Sequence, residues 1–183
     1  MKATQQLKDE HEGVKVILGV LGEICNTLEA KGSVDNEHFT GILEFLRVFV
    51  DKCHHGKEEE LLFPALIAAG VPKEGPIAVM LEEHEMGRSY VKAMTEAYAS
   101  YVKGRKLLSK DIIEKSRGYI ALLSEHIEKE NNILFVTADN RLSEDTQEEL
   151  WDGFEKIEEE RIGIGKHEEF HGMIERLSGI YLK

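Results

Sequence analysis

The sequence predicts an all-α protein: an up-down-up-down antiparallel four-helix bundle over residues 1–142, with a C-terminal helical extension over 143–183 packed on it. Three observations predict it. Four segments carry apolar residues spaced alternately three and four apart, the stripe of a helix that buries one face. Leucine, glutamate, lysine and alanine, which lose little side-chain freedom in a helix, fill the long segments, and only three prolines occur in the chain. Glycine, proline and N-capping residues fall between the segments.

The first stripe reads Leu7, His11, Val14, Leu18, Leu21, Cys25 and Leu28. Gly32 and Ser33 mark a turn, and Asp35 is the expected N-cap of the second helix. That helix reads Leu43, Leu46, Val50, His54, Glu58, Leu61 and Ala65, with Pro64 expected to kink or end it. Gly70, Pro72, Gly75 and Pro76 make the next break. The third stripe is Ile77, Met80, His84, Gly87, Val91, Met94, Tyr98 and Tyr101. The fourth helix starts near Leu108, with Ser109 as its cap, and reads Ile112, Ser116, Tyr119, Leu123, His126, Glu130 and Ile133. Each stripe gives one position to a histidine. Counting from the turns puts the four histidines level to within roughly one helical turn. The two halves of the chain also match. Asp9-Glu10-His11-Glu12 resembles Glu82-Glu83-His84-Glu85, and His54 to Phe63 (HHGKEEELLF) resembles His126 to Phe135 (HIEKENNILF). H-x-x-x-E therefore occurs twice, and the chain reads as two similar hairpins packed together.

A net charge of −12 argues against a nucleic-acid partner, which needs clustered Lys and Arg. No signal-peptide pattern leads the chain and no run of about 18 apolar residues exists, so no membrane partner is expected. Cys25 and Cys53 lack a C-x-x-C spacing and read as buried free thiols, which points to the cytoplasm.

Glu58 and Glu130 carry the functional argument. A carboxylate in a bundle interior is costly unless paired or metal-bound, and neither stripe offers an Arg or Lys nearby, Arg88 of the third helix coming nearest. Neutral imidazoles and ionised carboxylates are metal ligands, and H-x-x-x-E sets both side chains one turn apart on one helical face. This N/O donor set suits iron or manganese. Here the residues resemble a known family. The order H…H-x-x-x-E…H…H-x-x-x-E over roughly residues 5–140 looks like the hemerythrin HHE cation-binding family. The resemblance implies a non-haem di-iron site, oxo- or hydroxo-bridged, with ligands His11, His54, Glu58, His84, His126 and Glu130 and both glutamates bridging. Two departures stand out. Arg88 replaces the second histidine of the oxygen carriers' third helix, and the fourth helix carries H-x-x-x-E where they have H-x-x-x-x-D. This is closer to the family's iron-sulfur repair proteins and its iron-sensing F-box ubiquitin ligase subunit. His55 sits where the oxygen carriers place a pocket aromatic, and it either lines the site or binds metal.

The extension reads Leu150, Phe154 and Ile157, a Gly163/Gly165 break, then Phe170, Ile174, Leu177 and Tyr181. It either only packs on the bundle or also lends His167 as the nitrogen ligand that Arg88 withdraws. His167 to His171 satisfies H-E-x-x-H, a zinc-protease pattern too short to carry that assignment alone. Gly163-Ile164-Gly165-Lys166 resembles a phosphate loop only superficially, since His167 stands where Ser or Thr is needed. The expected function is binding or sensing of a small oxidant (oxygen, nitric oxide or peroxide) or handling of iron. The alternatives are a di-iron enzyme for peroxide decomposition or iron-sulfur cluster repair, and a structural zinc or metal-free bundle.

Overall fold

The computed structural model describes residues 2–106, 109–163 and 165–183. The expected helix start near Leu108 and Ile164 of the glycine break lie outside them. Helix α1 (Ala3–Lys31) stops where Gly32 takes φ 68° and donates its N–H to Leu28 O at 2.9 Å, a left-handed C-cap that glycine adopts without strain. Asp35 caps α2, accepting from His38 N–H at 3.0 Å. α2 begins as α-helix (Asn36–Phe45), widens into π-helical turns (Leu46–His55 and Glu58–Leu62) and closes as α-helix (Phe63–Ala68). A turn with non-helical Gly75 leads into α3 (Ala78–Val102). α4 shares the later part of that design but stays α-helical up to the glutamate, running as α-helix (Ser109–Lys129), π-helix (Glu130–Leu134) and α-helix (Phe135–Arg141). Ser143 caps α5 (Glu144–Arg161) through Thr146 N–H at 3.2 Å, and α6 (Lys166–Tyr181) follows Gly165 at φ 81°. Among the described residues there is no strand, and no helix is long and apolar enough to cross a membrane.

The π-helical turns change what the apolar pattern predicts. A π-helical turn holds one residue more than an α-helical turn, so every residue after it moves round the helix. Leu61 and Ala65 were expected inside; instead Leu62, Phe63 and Leu66 are buried. Ile133 was expected inside and is 53% exposed, while Leu134 and Phe135 take its place. Pro64 neither kinks nor ends α2. It sits in the first turn of the closing α-helical segment, just past the π-helical turns. There a missing N–H leaves the regular ladder intact.

Two apolar cores result. The larger joins Val14 to Leu28 of α1 with Phe39 to Val50 of α2, Met94 to Tyr101 of α3, Ile112 to Ile127 of α4, and Phe170, Met173 and Leu177 of α6. The smaller joins Ala3, Leu7, Leu62, Phe63, Met80, Leu134, Phe135, Leu150 and Phe154. Between Leu7 and Val14, Val50 and Leu62, Met80 and Met94, and around Ile127 to Leu134, each of the first four helices carries polar residues that belong to neither core. α5 and α6 therefore seal opposite cores. Phe154, fully buried, is expected to cost about 3–5 kcal/mol on truncation to alanine. Chemical denaturation of Phe154→Ala checks this, and a loss below about 1 kcal/mol would contradict the role of α5 in the smaller core.

Candidate metal centre

α1 supplies His11, α2 His54 and Glu58, α3 His84, and α4 His126 and Glu130, none more than 2% exposed. The imidazoles meet in pairs. His54 Nε2 lies 2.9 Å from His11 Nε2, and His84 Nε2 lies 3.1 Å from His126 Nε2. The glutamates span the pairs. Glu58 Oε1 is 3.7 Å from His54 Nε2 and its Oε2 is 3.4 Å from His84 Nε2. Glu130 Oε2 is 3.1 Å from His11 Nε2, and its Oε1 is 3.1 Å from His126 Nε2. Ligand atoms of His11, His54, Glu58 and Glu130 lie within 4.8 Å of one another, as do those of His55, Glu58, His84 and His126. Both π-helical turns that follow an H-x-x-x-E begin at its glutamate, Glu58 or Glu130.

The outer face of each imidazole is held as well. Glu10 Oε2 accepts from His54 Nδ1 at 2.7 Å, and its Oε1 accepts from the buried Lys57 at 2.5 Å. Glu83 does the same for His126 Nδ1 at 2.9 Å and for Lys129. Glu59 takes His84 Nδ1 at 2.7 Å, and Asn131 Oδ1 takes His11 Nδ1 at 2.9 Å. An acceptor on Nδ1 keeps the proton there and turns the Nε2 lone pair inward, as in metal-binding histidines. A family model, the hemerythrin HHE cation-binding domain, matches residues 2–138.

The chain belongs to the hemerythrin HHE cation-binding family. Uncharacterized proteins of Mycobacterium bovis and Mycobacterium tuberculosis are 26% identical to it over 165 residues, which is 88% of this chain and 63% of theirs. The chain thus spans less than two thirds of those curated relatives. No solved structure matches it.

The donor set of this hemerythrin-family site fits first-row transition cations. All four oxygens of Glu58 and Glu130 are buried without a well-formed hydrogen bond, even where an imidazole approaches. Such groups are expensive unless a cation meets them. Burial opposes protonation of His84, yet Glu130, Glu58 and Glu59 outweigh it and push its pKa up to about 11. His11 and His126 are raised against burial in the same way, chiefly by Glu130. Burial works against an ionised Glu130, but His126, His11 and His84 hold it well below the usual carboxylate range. The layer therefore calls for positive charge, and a metal supplies it while displacing these protons.

The remaining expectations resolve differently. His167 does not join the cluster; its ring sits against Glu158 and His171. His55 comes in instead, stacked on His84 with ring centroids 3.8 Å apart and planes 12° from parallel. The π-helical stretch ending at His55 allows this, because spreading a turn over more residues makes neighbouring side chains diverge less, and His54 and His55 are both buried. Arg88 meets neither central glutamate; it donates to Asp51 and Glu59, each at 2.7 Å, and so braces the partner of His84. Sequence reasoning passed over Glu10, Glu59, Glu83, Asn131, Lys57 and Lys129. The signal lay in the repeat, where Glu-His occurs in both halves and Lys precedes both central glutamates. Glu10→Gln is expected to weaken metal affinity roughly 10–100-fold while leaving the metal count at saturation unchanged. Competition with a chelator measures it, and unchanged affinity would remove Glu10 from the supporting shell.

Proposed function

We propose that this hemerythrin-family protein is a non-haem di-iron protein that binds or senses a small oxidant (oxygen, nitric oxide or peroxide) or handles iron in the cytoplasm. The observation that carries it is the buried, unbonded state of the Glu58 and Glu130 oxygens, each glutamate reaching one imidazole of either histidine pair. Bridging carboxylates hold two cations close together, and six N/O donors leave coordination positions open to a small ligand. Bound iron supplies reversible one-electron chemistry, and the chain supplies everything around it.

Four long helices, α1 to α4, run alternately up and down over residues 1–142, with 143–183 as an extension. Successive helices cross from one core to the other in opposite senses, which supports this arrangement. Access is given to a small molecule by a cavity of about 330 Å³ between α2, α3 and α4, lined by Leu46, His55, Gly87, Val91 and Tyr119 among others. Arg47, Asp51, Arg88, Lys92 and Glu96 line it as well. His55 stands at its inner end. Burial, and then His84 and His126 beside it, hold its pKa well below the ordinary value. Its Nδ1 has no hydrogen-bond partner, leaving one polar group to meet a ligand. That imidazole also favours a second reading, decomposition of peroxide, in which His55 accepts and returns a proton.

Iron reconstitution tests the proposal. The native chain is expected to hold two irons, and Glu58→Ala about one or none. The oxidised protein is expected to absorb in the near ultraviolet, and the reduced protein to change spectrum on mixing with oxygen. A chain that takes up no iron, or a Glu58→Ala variant that keeps both ions, sinks the reading. Oxygen evolution from peroxide at turnover rates, abolished in His55→Ala, selects the enzyme.

A further inference from the structure

The dinuclear centre leaves the His167-Glu168-Glu169-Phe170-His171 stretch unused. On α6 the rings of His167 and His171 lie one turn apart with their Nε2 atoms 2.7 Å from each other. The other nitrogen of His167, Nδ1, sits against Glu158 Oε1 of α5. That carboxylate raises the pKa of His167, and His167 and Lys57 in turn hold Glu158 down to about 2 against burial. Glu158 faces Nδ1 as a charged neighbour without a formed hydrogen bond, and the Nε2 side of the ring is the one turned to His171. Two imidazole nitrogens this close need something between them, either a shared proton or a cation.

The surroundings favour a cation. His167 and His171 line a cavity of about 220 Å³ that also touches Gln6 and Asp9 of α1. Gln6, which also lines it, has its Oε1 buried without a hydrogen-bond partner. The His167 side chain is 34% exposed, which leaves the pair open to ions from solvent.

We propose that His167 and His171 form a separate mononuclear site for a borderline divalent transition ion such as Zn²⁺, Ni²⁺ or Cu²⁺, with water filling the remaining coordination. Two histidines at i and i+4 on one helical face are an established way of holding such ions, and imidazole selects them over Mg²⁺ and Ca²⁺. The site goes beyond the di-iron reading and stands without it. It is nonetheless wired to that centre: Glu158 Oε2 accepts from Lys57 at 2.9 Å, and Lys57 holds Glu10 beneath His54.

Zinc uptake by the full chain, loaded first with iron and then dialysed against Zn²⁺, tests the proposal, with iron and zinc counted separately by elemental analysis. The native chain is expected to take one zinc more than His171→Ala, and the iron count is expected to be equal in the two. Cu²⁺ used as a probe should give a nitrogen-ligated paramagnetic resonance signal that His167→Ala and His171→Ala both lose. Mg²⁺ should not compete. Equal zinc in the native chain and His171→Ala overturns the proposal, as does a fall in iron alongside zinc, which would assign the histidines to the dinuclear centre. Because the reading is a difference between two folded chains, it holds whether or not iron loads. Circular dichroism confirms that both are equally helical.

Discussion

The structure depends on the burial of two carboxylates between two apolar cores. Glu58 and Glu130 are fully buried, and among the described residues neither is met by a lysine or an arginine; imidazoles approach them. Left as bare anions they would cost several kcal/mol each, and no packing nearby could offset that. The imidazoles answer the charge, and a cation between them answers it better. The rest of the molecule keeps this layer dry. Phe135 lies on His11 and Phe63 on His84, with ring centroids 5.5 and 5.9 Å away and planes within 16° and 21° of parallel. The smaller core thus forms the floor of the site.

The same constraint explains the π-helical turns. An α-helix carries Glu four residues after His on one face, but it also fixes where the next apolar residues fall. Opening the helix at each glutamate lets the carboxylate enter the layer while Leu62 and Phe63, or Leu134 and Phe135, still reach the core below. α2 is already wide from Leu46 to His55 and α4 widens first at Glu130, but a π-helical turn that begins at the central glutamate is common to both, and wide turns concentrate where function needs them.

This separates what the sequence could show from what it could not. Helical character, the cap at Asp35, the stop at Gly32 and the six central residues follow from periodicity and repetition, which are local and additive signals. The inward turn of His55, the exposure of Ile133 and the tolerance of Pro64 all follow from a change of helical pitch, and a pattern read at constant period carries no sign of it. The misplacement of His167 has another cause. Arg88 leaves one nitrogen donor fewer on α3, but a missing donor does not specify where its replacement lies in the chain. His55, adjacent to His54, reaches His84 directly, whereas His167 packs on Phe49 of α2 and is joined to the layer through Glu158, Lys57 and Glu10.

Lys57 gives that separation a physical meaning. It is fully buried and bonds Glu10 on one side and Glu158 on the other, and those two carboxylates, outweighing burial, keep it protonated. A buried lysine between two carboxylates is costly to break at any one point, because each member left behind would be an unpaired charge away from water. Glu83 and Lys129 make the equivalent pair in the second half of the chain, where Lys129 is partly exposed and its hydrogen bonds go to Glu83. The halves are therefore alike at the imidazoles and unlike behind them. Behind His54 the network runs on through α5 to α6, so the C-terminal helices are bonded to one histidine pair and not to the other. An extension attached in this way holds the two histidine pairs in different electrostatic surroundings.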